Sequence, residues 1–369
     1  MGLAAAAGAL ARGFDVTLLE RGAVGEALGR WGPVRFFTPL AMNLPPLLLR
    51  DVALPHDAIL TGPEMRREVL EPLVATGPLR DRVKTQHRLL SVARRGMTRI
   101  DYPGHPLRAE RPFVLQVETP DGDATFEADI VFDATGGFAL PNAFGSGGVP
   151  ARGERAHDAH VIRDHASLAA RLEALAGKRV LLIGHGHSAA NALLMLEPSG
   201  ALVTWVVRTP NRRPCVEVPN DPLPERERVV ARANALASEP PPWLHVERRA
   251  MVEAVTRRDE SLHVAISGGR TADVDVIVSF TGFRPDSAHL TELPIELSNV
   301  TEGGARLYRA ISNITDCLAV PTVRPSDLAT GEPDFWLIGS RSYGRARTFL
   351  LQTGIGQLET VFGAMNTGR

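Results

Sequence analysis

The stretch Leu181-Leu182-Ile183-Gly184-His185-Gly186-His187-Ser188-Ala189-Ala190 sets two glycines and a small residue at the spacing G-x-G-x-x-A. Such residues do not react; they cradle. Gly184 makes a tight turn, Gly186 lets backbone approach a pyrophosphate, and Ala189 keeps a helix close to a strand. Ser188 falls in the first turn of that helix, whose amides and positive dipole end face the phosphates. The turn needs a strand before it and a helix after it. Lys178–Ile183 reads as a short apolar strand, Ala189–Leu194 continues as a small-residue helix, and Ala201–Val207 reads as the next strand. Beyond that strand come Arg208, Arg212 and Arg213. Arginine forks suit a ribose 2′-phosphate, whereas an acid there suits a free 2′-hydroxyl. The pattern predicts an NADPH site.

The chain opens on what reads as the second half of another such motif. Gly2–Arg12 is small and apolar enough for a helix against a sheet, and Gly13 marks its stop. Phe14–Leu19 reads as a buried strand with Glu20 at its end, placed to accept from an adenosine ribose. Gly2 takes the third-glycine position. The strand and first two glycines of this motif are expected upstream of Met1. The acid at its strand end predicts FAD here.

Two further segments, Ala128–Gly137 and Val274–Phe283, are apolar strands ending in Thr135-Gly136 and Thr281-Gly282. One precedes and one follows the second glycine motif, which reads as one nucleotide domain inserted into another. The fold class expected is α/β: an FAD-binding Rossmann-like domain, its first strand and glycine turn missing, carrying an inserted NAD(P)-binding Rossmann-like domain. The first part spans 1–150, the insert 151–283 and the second part 284–369.

Composition bounds the function. The chain has 369 residues, 44% of them apolar, and a net charge of -1. Two domains and sizeable cores fit that length. Bulk electrostatics argues against nucleic acid or an anionic membrane as partner, and no apolar run reaches the roughly 20 residues of a spanning helix. Two cysteines, Cys215 and Cys317, with no C-x-x-C, fit a reducing cytoplasm and no internal dithiol relay. His157, His160 and His165 read as linker residues, and His185 and His187 as part of the phosphate loop, so no metal site is expected.

The residues "LLIGHGHSAANALL", "DATGG", "TGFRPD", "WGPVRFFTPLAMN" and "SYGRARTFLLQTGIGQ" together span nearly the whole chain. In them the chain resembles the flavoproteins with two dinucleotide-binding domains, the group that holds flavin-containing monooxygenases and pyridine-nucleotide flavin reductases. Closer still is the resemblance to a bacterial group of FAD-dependent, NADPH-using oxidoreductases. It implies that the C-terminal segment returns over the flavin, with Gly354 and Gly356 offering amides near the start of a helix over Phe349–Met365. It also implies that Trp31–Asn43 lies beside the flavin, with Arg35, Thr38 and Asn43 as its polar members and Tyr343 and Arg345 nearby. The implied activity is hydride transfer from NADPH to FAD. Electrons then pass to oxygen, with oxidation of a soft nucleophile in a small molecule, or to another small acceptor. No protein side chain is assigned to catalysis. The monooxygenase signature F-x-G-x-x-x-H-x-x-x-[FWY] is present before the second motif only in pieces. Two alternatives remain open: a non-catalytic nucleotide-binding sensor, and an inactive product of a truncated gene.

Overall fold

A computed structural model describes residues 1–367. Helix α1 (Gly2–Leu10) consists of strong helix formers with no polar side chain on any face. A helix apolar all round must be buried, and residues 4–9 are. Its close contact is at Gly8, where a Cβ would lie 2.6 Å from Phe362 Cε2. Gly13 turns the chain out at φ +80. The strand expected over Phe14–Leu19 shortens to β1 (Leu18–Leu19), because only these two residues find a ladder partner, in the parallel strand β2 (Val83–Lys84). Phe14 and Val16 instead pack beside Ala4, Ala5 and Phe362.

Next comes an antiparallel sheet of β3 (Arg88–Arg94), β4 (Phe113–Thr119) and β5 (Gly122–Ala128). It is tied to the later chain by a buried knot: Glu332 accepts from Arg94 Nε and Arg108 Nε, both at 2.7 Å, and Arg94 stacks 3.6 Å over Phe113. Strand β6 (Val131–Asp133) follows, then β7 (Leu140–Pro141) and β8 (Val161–Ile162).

The middle of the chain supplies β9 (Arg179–Ile183), helix α2 (His187–Leu196), β10 (Leu202–Val207), helix α3 (Pro224–Ser238) and β11 (Leu244–Arg248). An antiparallel ribbon of β12 (Val252–Arg258), β13 (Ser261–Ile266) and β14 (Arg270–Val274) leads into β15 (Val276–Ser279). The parallel sheet runs β11-β10-β9-β15-β8. Its two faces explain the apolar runs. Val180, Leu182, Trp205 and Val207 pack against the helices, while Leu181, Ile183 and Val206 pack against the ribbon. Strand β16 (Phe283–Arg284) pairs with β7, so the outgoing and returning chains run side by side. Asn142 Nδ2 donates to Thr281 O at 3.2 Å, and Thr281 Oγ1 to Asn142 O at 2.9 Å.

The returning chain ends in β17 (Phe335–Leu337), parallel to β6, and helix α4 (Leu351–Thr367), which lies against α1. The parallel pairs β1–β2 and β6–β17 are separate two-stranded sheets. Among the described residues no helix is long and apolar enough to cross a membrane.

Candidate dinucleotide-binding sites

The second glycine turn has the geometry its residues imply. Gly184 sits at φ +116, and a Cβ there would stand 2.4 Å from Phe280 O. Only glycine meets both demands. Gly186 adopts ordinary extended backbone at φ -85, and a Cβ on it would meet nothing within 4 Å. Its glycine therefore leaves room above the chain rather than solving a clash within it. Ala189 is fully buried, next to the Gly184 position. No side chain caps α2, and Gly186, His187 and Ser188 are exposed at its head. The exposed amide end, the open face over Gly186 and the uncapped helix fit a dinucleotide pyrophosphate.

Both histidines of the turn are held below their ordinary proton affinity. At His185 the cause is burial, then the charges of Arg208 and Arg347; at His187 it is desolvation of the ring, which meets Phe37, then Arg226, with Asp221 opposing. His165 Nε2 lies 2.9 Å from Ser188 O, and its ring stacks on Phe280 at 4.3 Å. Histidine here is scaffold for the turn.

The three arginines past β10 divide. Arg208 is exposed and makes no hydrogen bond or ion pair among the described residues. Arg212 donates through Nε and Nη2 to Ser238 O at 3.2 and 2.9 Å, closing the end of α3. Arg213 is paired with Glu217. Of the three expected forks, the structure leaves Arg208 uncommitted.

At the first site, Glu20 accepts from Gly22 N at 2.9 Å, which orients its carboxylate. Burial lowers the proton affinity of the Met1 amino group, and the Glu20 charge opposes it. Gly2 does not play the close-approach role expected of it: a Cβ would make ordinary contact, 3.4 Å from Leu18 Cδ1. Thr135 donates through N and Oγ1 to Asp133 Oδ1 at 3.0 and 2.6 Å, Gly136 turns at φ +87, and Gly137 N donates to Ser340 Oγ at 3.2 Å. Gly282 makes the matching turn after β15 at φ +90. A carboxylate at the end of a strand, as at Glu20, is of the type that accepts from a ribose hydroxyl.

Sequence reasoning missed the group that holds this turn. Asp133 is buried and also accepts from Arg341 Nε at 3.0 Å, while His289 Nε2 lies 3.1 Å away. Arg341 Nη2 donates to Ser287 Oγ at 2.8 Å. Burial pushes the Asp133 carboxyl up, but the His289 hydrogen bond and the Arg341 charge bring it down to about 2. The only sequence signal was the acid before Thr135-Gly136, since its partners lie 156 and 208 residues away.

The C-terminal residues stand as follows. Met1's side chain lies between Gly339 and Gly354: a Cβ on Gly339 would stand 2.5 Å from Met1 Cγ, and one on Gly354 3.0 Å from Met1 Sδ. The Gly354 amide is engaged inside the helix start, donating to Leu350 O at 3.2 Å, whereas a Cβ on Gly356 would meet nothing within 4 Å. Tyr343 is buried, its phenol pushed up to about 12 by desolvation, and Arg345 lies 3.5 Å from Glu302. Thr38 and Asn43 satisfy one another, Thr38 Oγ1 to Asn43 Oδ1 at 2.7 Å and Asn43 Nδ2 to Thr38 O at 3.0 Å. Arg35 donates to Ile59 O at 2.7 Å and lines a cleft of about 480 Å³ with Asn191 and Glu225. Their segment reaches the second turn: Phe37 meets the His187 ring edge-on at 5.2 Å, and Ala166 N donates to Arg30 O at 3.1 Å.

Two strand–turn elements of dinucleotide type in one α/β chain define a two-dinucleotide-fold oxidoreductase. Residues 110–310 match the family model of the pyridine nucleotide-disulphide oxidoreductases, and the chain belongs to that family. It is a flavin-dependent oxidoreductase that uses a nicotinamide dinucleotide. Over its full length it is similar to bacillithiol disulfide reductase from Bacillus cereus, with a TM-score of 0.74, 18% identity and 96% of that chain covered. Thioredoxin reductase from T. acidophilum is similar over 99% of this chain and 95% of its own, with a TM-score of 0.62 and 15% identity. Ornithine hydroxylase from Pseudomonas aeruginosa is similar over the same shares, with a TM-score of 0.64 and 14% identity. At these identities the likeness is one of fold. A comparison with curated proteins returns no match.

Proposed function

We propose that the protein takes hydride from NADPH at the insert formed by residues 151–283, passes the electrons to FAD held by the flanking parts, and delivers them to a small acceptor. Oxygen, with oxidation of a soft nucleophile, is one such acceptor. A small disulfide, of the kind named for the Bacillus cereus relative, is another. The observation that carries this reading is the second turn. Gly184 is sterically obligatory, Gly186 is open to a ligand, and an uncommitted arginine stands beyond β10.

The cofactors supply the hydride donor and the two-electron acceptor. The protein's residues position them. Gly186, His187 and Ser188 present the head of α2 to the pyrophosphate. Arg208 receives the 2′-phosphate. Glu20 orients the FAD ribose, and Thr135-Gly136, fixed by Asp133, sets the turn beside it. Cys215 is buried, its thiol pushed up to about 12 by burial first and Glu217 second. Such a thiol is not a nucleophile at neutral pH. With no C-x-x-C in the chain, the acceptor is assigned to the flavin and not to a protein dithiol.

The test is anaerobic titration of the FAD-loaded protein with NADPH and NADH, followed by flavin absorbance. NADPH is expected to reduce it at lower concentration than NADH, and Arg208→Ala to weaken NADPH about tenfold with NADH unchanged. Equal response to both nucleotides in the parent protein would contradict the NADPH assignment.

A further inference from the structure

Five arginines gather where β10 and β11 end: Arg208, Arg212, Arg248, Arg249 and Arg270. Three are held rigidly. Arg212 is fixed on Ser238 O. Arg248 donates to Asn211 O and Arg212 O at 3.2 Å and to Ala237 O at 2.5 Å. Arg270 donates to Ser267 O at 2.9 Å and to Arg248 O and Arg249 O at 3.2 Å. Of the five only Arg270 meets a carboxylate among the described residues, that of Glu247 at 2.5 Å. Carbonyls orient a guanidinium but leave its charge uncancelled. This end of the sheet is a preformed cationic site.

Arg208 and Arg249 are the two that make no side-chain hydrogen bond or ion pair among the described residues, and both are exposed. The ladder ends one residue before each of them, and backbone bonds past its end keep the two segments together. Val207 is the register partner of Arg248, Ala250 N donates to Val207 O at 3.1 Å, and Arg249 N to Thr209 O at 3.3 Å. Adjacent strands lie about 4.8 Å apart, so the two residues leave neighbouring strand ends. Arg208 is near enough to the glycine turn for its charge to lower the proton affinity of His185, and Arg249 stands one strand farther out. Arg249 also holds the left-handed conformation at φ 49, which glycine would adopt more readily. Arginine stands there against the backbone's preference.

We infer that Arg249 is a specificity-determining residue, the second arm of a clamp whose first arm is Arg208 and whose ligand is the phosphomonoester on an adenosine ribose. The inference rests on the NADPH reading and assigns its discrimination to β11 as well as β10. A dianion with three acceptor oxygens takes one fork from each strand. Arg212, placed closer in sequence to Arg208, serves α3.

The test is calorimetric titration of the full chain with adenosine 2′,5′-bisphosphate and with adenosine 5′-monophosphate at fixed salt. Arg249→Gly keeps the backbone at ease and removes only the fork. It is expected to weaken the bisphosphate about tenfold and to change the monophosphate less than twofold, with Tm unchanged or raised. Arg212→Ala is expected to weaken the bisphosphate by less than a factor of about three. Undiminished preference for the bisphosphate in Arg249→Gly would overturn the inference alone, as would an equal loss in Arg212→Ala. A parent protein that binds both ligands equally would overturn the NADPH reading beneath it.

Discussion

The Thr135-Gly136 turn after β6 and the Gly184 turn after β9 each follow a short parallel strand and are constrained in opposite ways. At the second, everything sits in one contiguous strand–turn–helix: Gly184 is forced by a clash with Phe280 O, and Gly186 faces open space. At the first, the turn after β6 is held by side chains from remote segments, Asp133 with His289 and Arg341. One site is set by backbone sterics and the other by buried charge. The electrostatics reverse as well, with Glu20 at the end of β1 and uncancelled arginines at the end of β10. Sterically set sites tolerate changes of charge, and charge-set sites respond to pH.

That contrast is broken most forcefully at Asp133. Asp133→Ala leaves Arg341 buried without its carboxylate, and removing one member of such a pair costs about 3–5 kcal/mol, read by denaturant unfolding. The pH dependence has a definite sign. The folded carboxyl titrates at about 2, below its ordinary 3.8. Its stabilisation is therefore complete above about pH 4 and lost as pH falls toward 2, a change of about 2 kcal/mol. Asp133→Asn is expected to remove this contribution from the acid limb of the stability curve.

The second turn gives the next effects. Gly184→Ala combines a positive φ with a backbone clash, at a cost on the order of 3 kcal/mol. Gly186→Ala is expected to leave stability within about 0.5 kcal/mol of the parent, yet to weaken pyridine nucleotide about tenfold, because the methyl fills the ligand's space. Equal destabilisation by the two would show that their difference is not steric. The effect at Glu20 is confined to FAD binding. Glu20→Gln is expected to weaken FAD about tenfold without moving Tm of the flavin-free protein, since the carboxylate serves the ligand. Equilibrium dialysis against FAD reads that change.

The same contrast explains what the sequence disclosed. The turn at Gly184, its strand and its helix were legible because local periodicity and a fixed spacing specify them. So was the Ala-rich α1, though its tight contact fell at Gly8 against Phe362 and not at Gly2. The extent of β1 was not legible, because a strand needs a partner and only Leu18 and Leu19 have one. Thr38 and Asn43 were implied only by resemblance, and the hydrogen bonds they exchange in the buried chain carry no sequence signal. Asp133–His289–Arg341 and Arg94–Glu332–Arg108 join segments far apart in sequence, and no spacing announces them. Arg249 carries no sequence signal, because its distance from Arg208 along the chain hides the neighbouring strand.

The most direct measurement is the visible absorption spectrum of the purified chain after incubation with FAD and removal of unbound flavin, before and after anaerobic addition of NADPH. The account predicts a bound-flavin band that bleaches on addition. A folded protein that retains no flavin, or one whose flavin band NADPH leaves unchanged, would contradict it.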